Sequence, residues 1–517
     1  MSKGKLLAVA IVWLVILATG VVVWKFAFAP VVERTQAEKE AAEARQREEA
    51  LRRGGSQSVY SRQVTIRLDG FSGYAVLRSD AFEKQLRDRG IRLRLVDDGA
   101  DYPARLKALA RGDADLAVFT IDALVKASAA AGDLPATIVA LVDETAGADA
   151  VVTYKSAIAR VDDLNDPDAR FVVTPDSPSE TLARVVVSRF QLDRMNADPL
   201  IKVKDPAAVV AKYRASRAAD KLAYVAWEPY VSQMLKNDRM HVLVDSSRFP
   251  SAIVDVLVAS DDMIAKNRDT VLDVVRAYFE ANTLYRDQAA RVKLVLADAA
   301  AGGARLTQAE ATRLVDGVWW KNARENQAHM KRSAPGGGRR PAGLPHVEDM
   351  IDSITAVLLE TGAIAADPTG GNPNYLYNDL IWEDLSGFEP GRGGEQVRGV
   401  RLPRLSDAQW KSLVEVGAAR APTLVFPRGS ARLTGRSQSL LDELASSLQA
   451  TRFYVIVRGN ASRRGDAEAN RRLAEQRAKA VEQYLVRSGV DADRIRALGV
   501  EPSGSTSVTF VLGEPPY

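Results

Sequence analysis

Between residues 6 and 24 the chain reads LLAVAIVWLVILATGVVVW, without a single charge. As a helix this run is about 28 Å long, close to the ~30 Å hydrocarbon core of a bilayer. Trp13 falls mid-span, while Trp24 stands at one end, where an indole suits the headgroup boundary. A cleaved signal peptide has a shorter apolar region, and a cut after Ala29 would leave Pro30 at the new terminus. The pattern therefore predicts an uncleaved transmembrane helix over 6–24. Lys3 and Lys5 keep residues 1–5 as a cytoplasmic tail, which places everything after the span in the periplasm. The span holds no Asp or Glu, so it offers no carboxylate for moving protons across the bilayer. Residues 31–55 mix acidic and basic side chains among alanines, with no apolar stripe wide enough for a core, and end at Gly54-Gly55. They predict a charged helical stalk, standing the next domain ~30 Å from the membrane.

From Val64 the periodicity changes. VTIRL, IRLRLV and ADLAVFT read as strands, and DAFEKQLRDRG and YPARLKALARGD as helices between them. FVVTPDSPSETLARVVVSRF and KLAYVAWEPYVSQML repeat the strand-to-helix form. This alternation predicts an α/β domain over 60–388 with a mostly parallel sheet, and a ligand site beyond the carboxyl ends of its strands. APGGGRRPAGLP reads as a loop between helices. Residues 389–404 read as a linker, and 405–517 as a smaller α+β module. In that module TLVF, RFYVIV and SVTFVL are the expected strands. The helix NRRLAEQRAKAVEQYL gathers Leu473, Ala474, Ala478, Val481, Tyr484 and Leu485 on one arc, and sets Asn470 and Arg477 in the middle of it. A guanidinium there needs a partner. It either caps a neighbouring carbonyl or grips the carboxylate of a ligand.

Composition narrows the chemistry. The 517 residues include 70 basic and 66 acidic ones, for a formal charge of +4, so nothing points to nucleic acid. With no cysteine, disulfides, thiol catalysis and Cys-ligated metal are excluded. His241, His329 and His346 are far apart and fit no metal-binding spacing. No nucleophile–base pair or phosphate-binding glycine loop appears, and no cofactor is expected.

Two resemblances follow from the motifs. GFSGY, DYPARLKALARGDADLAVFTIDAL, GADAVV, DSPSETLA and AWEPY resemble, in order and spacing, the periplasmic solute-binding proteins of nitrate, sulfonate, taurine and thiamine-precursor uptake. VEDMIDSITAVLLETGAI resembles that family's closing helices. The resemblance implies two lobes on a hinge. It lines the cleft with Ser72, Gly73 and Tyr74, with Thr120 and Asp122, with Asp149, with Ser177 and Ser179, and with Trp227 and Glu228. Ser177 and Ser179 equally suit a helix cap, Trp227 lobe packing, and Asp122 and Glu228 solvated loops. Free amides at a helix start would take an anionic group, while the three acids oppose a plain anion. A zwitterion or a cationic heterocycle fits both.

VFPRGSARLT, N-x-x-L-A-x-x-R-A-x-x-V-x-x-Y-L and GVDADRIRALG resemble the OmpA-like peptidoglycan-binding domain. That family directs the equivalents of Asn470 and Arg477 at the diaminopimelate of the stem peptide. Its loop reads Gly-His-Thr-Asp, whereas here it is Gly459-Asn460-Ala461-Ser462, so Ser462 stands where a ligand-holding Asp is expected. Asp466, four residues on, is a possible substitute only if the loop folds back. The combined expectation is a single-pass inner-membrane protein with periplasmic domains. It would bind a small solute, contact peptidoglycan weakly, and serve a permease or a signalling partner, without being an enzyme. A stator-like or wall-anchoring subunit with a degenerate binding domain is the alternative.

Overall fold

In the computed structural model the described residues are 60–331, 344–390, 397, 402–460, 462, 464–501 and 507–515. The span at 6–24, the stalk and the APGGGRR loop lie outside them. Among the described residues no helix is long and apolar enough to cross a membrane.

Two sheets form the larger part. The first contains β1 (Arg62–Leu68), β2 (Ile91–Asp97), β3 (Leu116–Thr120), β4 (Ala136–Thr145), β10 (Val254–Ser260) and β11 (Val318–Trp320), in the order β11-β4-β10-β3-β1-β2. The second contains β5 (Asp149–Tyr154), β6 (Arg170–Val173), β7 (Leu200–Lys202), β8 (Leu222–Trp227) and β9 (Met240–Asp245), in the order β7-β6-β8-β5-β9. The chain passes between the sheets at 146–148 and returns at 246–253. Two lobes on a two-stranded hinge result: the α/β two-lobed periplasmic-binding-protein type of fold.

The expected mostly parallel sheet is not what forms. β1 and β3 are parallel, as are β6 with β7 and β8, but β10 runs antiparallel to both β3 and β4, and β5 antiparallel to both β8 and β9. The hinge is the cause, because β10 receives the returning chain and must run against strands that leave by the same end. β3 and β10 are buried at every position, which fits strands covered on both faces. The helix Val347–Glu360 packs on both the helix Ile121–Ala131 of the first lobe and the helix Pro178–Arg189 of the second.

The C-terminal module has a four-stranded sheet, β12-β15-β13-β14, from β12 (Val414–Ala418), β13 (Tyr454–Asn460), β14 (Ile495–Glu501) and β15 (Val508–Glu514). The helices Gly435–Gln449 and Ala467–Arg487 accompany it. The strand expected at TLVF is absent and β12 takes its place earlier in the chain. Pro422 and Pro427 flank TLVF, and a ring nitrogen cannot donate to a ladder.

Candidate functional site

The floor of the cleft is one rung of the first sheet. Trp320 on β11 is the Cα partner of Asp143 on β4, Asp143 of Asp255 on β10, and Asp255 of Thr120 on β3. Directly opposed residues present their side chains on the same face, so two carboxyl groups meet at neighbouring strands. Asp143 is 0% exposed and Asp255 1%. The Tyr74 hydroxyl donates to Asp255 Oδ1. Among the described residues no N–H or hydroxyl donates to either oxygen of Asp143, and its hydrogen-bonding neighbour is the Asp255 carboxyl itself. Burial raises both carboxyls well above the usual range, and for Asp255 the charge of Asp143 adds to it.

The 3₁₀ turn Ser72–Val76 closes over this rung. Trp320 Nε1 donates to Gly73 O at 2.7 Å, which draws the turn onto the sheet. A Cβ on Gly73 would stand 2.7 Å from Asp143 Oδ2 and 2.3 Å from the Phe71 ring, so only glycine fits. Ser72 and Tyr74 are buried here. Asp122 opens the next helix. Its Oδ2 accepts from Thr181 Oγ1, which belongs to the other lobe, and burial raises its carboxyl.

From the second lobe, Asp149 on β5 is the Cα partner of Trp227 on β8. Burial pushes the Asp149 carboxyl up to about 7, and the charges of Asp122 and Asp143 push it in the same direction. Trp227 is half-buried and meets Tyr230 edge-on, with centroids 6.4 Å apart. Glu228 Oε1 accepts from Ser232 Oγ at 2.7 Å, and Arg313 of the first lobe reaches that hydroxyl at 2.7 Å. Asp122 and Glu228 are therefore buried, and the solvated-loop alternative fails for both.

The helix start at Ser177 also departs from expectation. Ser177 makes no side-chain cap; its Oγ donates to Thr174 O at 2.6 Å and lies 3.2 Å from Ser179 Oγ. Beside that helix start the chain's own Glu180 reaches back to accept from Asp176 N at 2.8 Å. Burial opposes that charge, yet Lys126, the Asp176 amide and Arg184 bring Glu180 down to about 2. Lys126 lies across the cleft on the first lobe and pairs with both Asp176 and Glu180.

The rung of carboxyls beneath these segments is absent from the sequence-based expectation. Asp143, Asp255, Thr181 and Trp320 were not singled out. A signal existed: ALVDET places two carboxylates, Asp143 and Glu144, and AIVDVLVAS one, Asp255, in otherwise apolar strands, as costly as an arginine inside an apolar helix face.

In the C-terminal module Arg477 Nε donates to Ser430 O at 2.9 Å, and its guanidinium stacks 4.9 Å from the Phe426 ring. This is the carbonyl-capping arrangement. Asn470 Nδ2 donates to Arg464 O at 2.8 Å and to Ser462 O at 3.2 Å, and Ser462 Oγ turns back on the Arg464 backbone. Asp466 is the cap of its helix, accepting from Glu468 N and Ala469 N, and so does not replace the missing loop acid. Among the described residues no group of His, Asp or Glu is arranged to hold a metal ion.

Residues 86–287 match the NMT1/THI5-like family, and residues 425–506 match the OmpA family. A peptidoglycan-associated lipoprotein of Pseudomonas putida is 42% identical over 80 residues, 15% of this chain and 48% of that protein. An outer membrane protein A of Bordetella avium is 28% identical over 130 residues, 25% of this chain and 63% of that protein. The chain spans about half the length of the first curated relatives it matches. Among solved structures, the periplasmic aliphatic sulphonate binding protein SsuA of Escherichia coli is 16% identical, covering 67% of this chain and 98% of its own at a TM-score of 0.45. The alkanesulfonate-binding protein of Xanthomonas axonopodis pv. citri bound to MOPS is 20% identical, covering 52% and 91% at a TM-score of 0.39.

Proposed function

We propose that this chain, which carries an NMT1/THI5-like domain and a C-terminal OmpA-family domain, is an envelope solute-binding protein whose cleft takes a cationic or zwitterionic small molecule. It binds and does not catalyse. The observation that carries the ligand class is the opposed pair Asp143 and Asp255, buried together with Asp149 nearby. Burial and, for Asp255, the charge of Asp143 keep the pair from ionising together, and a protonated amine or amidinium between them supplies the countercharge and the donors that let both ionise. A plain anion would meet these acids and, at the helix start, the ionised Glu180. Ser72, Gly73, Tyr74, Thr120, Asp122, Asp149, Ser177, Ser179, Trp227 and Glu228 form the walls, with Trp227 a flat face for a ring.

The OmpA-family domain is read as the wall-binding end, with Asn470, Arg477 and Ser462 at its pocket. The boundaries at 60–388, 389–404 and 405–517, the single span at 6–24 and a periplasmic location for both domains belong to the same reading. The test is native mass spectrometry of the detergent-purified full chain with whatever ligand accompanies it. A small molecule carrying a positive charge, lost in Asp143→Asn/Asp255→Asn, is the expected result. A bound sulfonate or nitrate retained by that variant would overturn the ligand class.

A further inference from the structure

The C-terminal domain rests on the hinge. Its 418–420 segment continues β12 as a two-residue bridge to the second lobe: Gln191 N donates to Ala418 O at 3.0 Å, and Arg420 N to Arg189 O at 2.9 Å. Ala418 N donates to Asp162 Oδ1 of the same lobe at 2.8 Å. Gly417 allows this approach, since a Cβ there would lie 2.9 Å from Asp162 Oδ1 and 3.0 Å from the Phe190 ring. Phe453 then packs edge-on against both Phe190 of the second lobe and Phe249 of the returning hinge segment, each centroid 5.9 Å away. Arg452 N donates to Arg248 O of that segment at 2.7 Å, and Arg248 pairs with Glu514 at 2.6 Å.

The same domain also touches the first lobe. The Arg452 guanidinium lies 3.9 Å from Glu144, at the end of β4, where Lys321 at 2.6 Å and the hinge amide of Ser251 at 2.9 Å already converge. Glu144 is 3% exposed and directly follows Asp143 of the cleft floor. One carboxylate thus joins the cleft strand, the hinge and the C-terminal domain. A body that grips one lobe through Asp162 and Phe190 and the other through Glu144 cannot keep both grips when the angle between the lobes changes. The lobes here are drawn together by Thr181 on Asp122 and by Lys126 on Asp176 and Glu180.

We propose that lobe closure and docking of the OmpA-family domain are one coupled equilibrium, linked through Arg452 on Glu144, so that the C-terminal domain reports whether the cleft is closed. Linkage makes the effect reciprocal: whatever pulls the domain from the hinge weakens closure by the same factor.

The test needs no ligand and so stands apart from the solute assignment. The chain lacks cysteine, so Lys126→Cys/Asp176→Cys gives the full-length protein one reactive pair across the cleft. Joining that pair with a short bismaleimide holds the lobes closed. Hydrogen exchange is then read by mass spectrometry at Gln191, Arg420 and Arg452, with β13 and β15 amides as the folding control. Cross-linking should slow the three docking amides about fivefold or more, and Arg452→Ala should remove most of that difference while the control stays protected. Equal rates with and without the cross-link overturn the proposal, as do docking amides that exchange freely in both states. So does a full-sized difference retained in Arg452→Ala; if that variant loses its control protection, Glu144→Gln is read in its place.

Discussion

Asp143 sits where a carboxylate is least comfortable, buried opposite another on the next strand and with no N–H or hydroxyl donating to either oxygen. Asp143→Asn leaves a single carboxyl on the rung and supplies an amide N–H to it. The expected outcome is an unliganded protein more stable by about 1 kcal/mol in urea unfolding and a cationic ligand bound about 10- to 100-fold more weakly by calorimetry. A second expectation concerns Asp149. Its carboxyl is raised from 3.8 to about 7 on folding, so its contribution to stability is full below the unfolded value and is lost as pH climbs through the folded one. The unliganded urea midpoint should therefore fall from about pH 4 to about pH 7 and level off above, less steeply in Asp149→Asn. Cation affinity should rise as the folded group ionises around pH 7. Residue by residue, the proposed cleft walls stand at strand ends and the segments that follow them, Ser72–Tyr74 in a turn after β1, Asp122 in the first turn of the helix after β3 and Trp227 at the end of β8, which is where the sequence pattern directs attention. The floor was not legible, because one Asp in an apolar strand looks like an interruption until its partner strand is known. For β10 that partner lies more than a hundred residues away.

Among the elements, local periodicity gave most helices and strands, and long-range geometry decided the rest. The direction of β10 follows from the hinge, and the absence of a strand at TLVF from two flanking prolines; the second was readable from the sequence and the first was not. The 3₁₀ turn over the cleft has no room for a side chain at Gly73. Gly73→Ala must displace either the Phe71 ring or the Asp143 carboxylate, and should cost about 1–3 kcal/mol in unfolding measurements. The helix Pro178–Arg189 bridges the lobes at its first turn. Removing its hydroxyl in Thr181→Val leaves Asp122 with one interlobe bond fewer. Small-angle scattering should then report a larger radius of gyration for the unliganded protein, and an unchanged one would assign the bond no part in closure.

At the scale of the molecule, the proposed wall binding by the C-terminal module depends on what replaces the missing loop acid. Ser462→Asp should strengthen co-sedimentation of the full chain with purified sacculi, by about 10-fold or more if the new carboxylate meets the stem peptide's ammonium. Arg477→Ala should abolish what the wild type retains; sedimentation unchanged in both variants would reduce Arg477 to the cap that it forms on Ser430. A reporter fused after Tyr517 should be active only as a periplasmic type. The bridge between 418–420 and 189–191 has one more consequence, for anyone who handles the domain by itself. β12 is an outer strand of its sheet, and in the whole chain the backbone that continues it is paired with the second lobe while Phe453 is covered by Phe190 and Phe249. Cut free, the C-terminal fragment would display an unpaired strand end beside a bare aromatic ring, the combination that recruits a second copy edge to edge. Wall-binding strengths measured on such a fragment would then carry the avidity of its self-association.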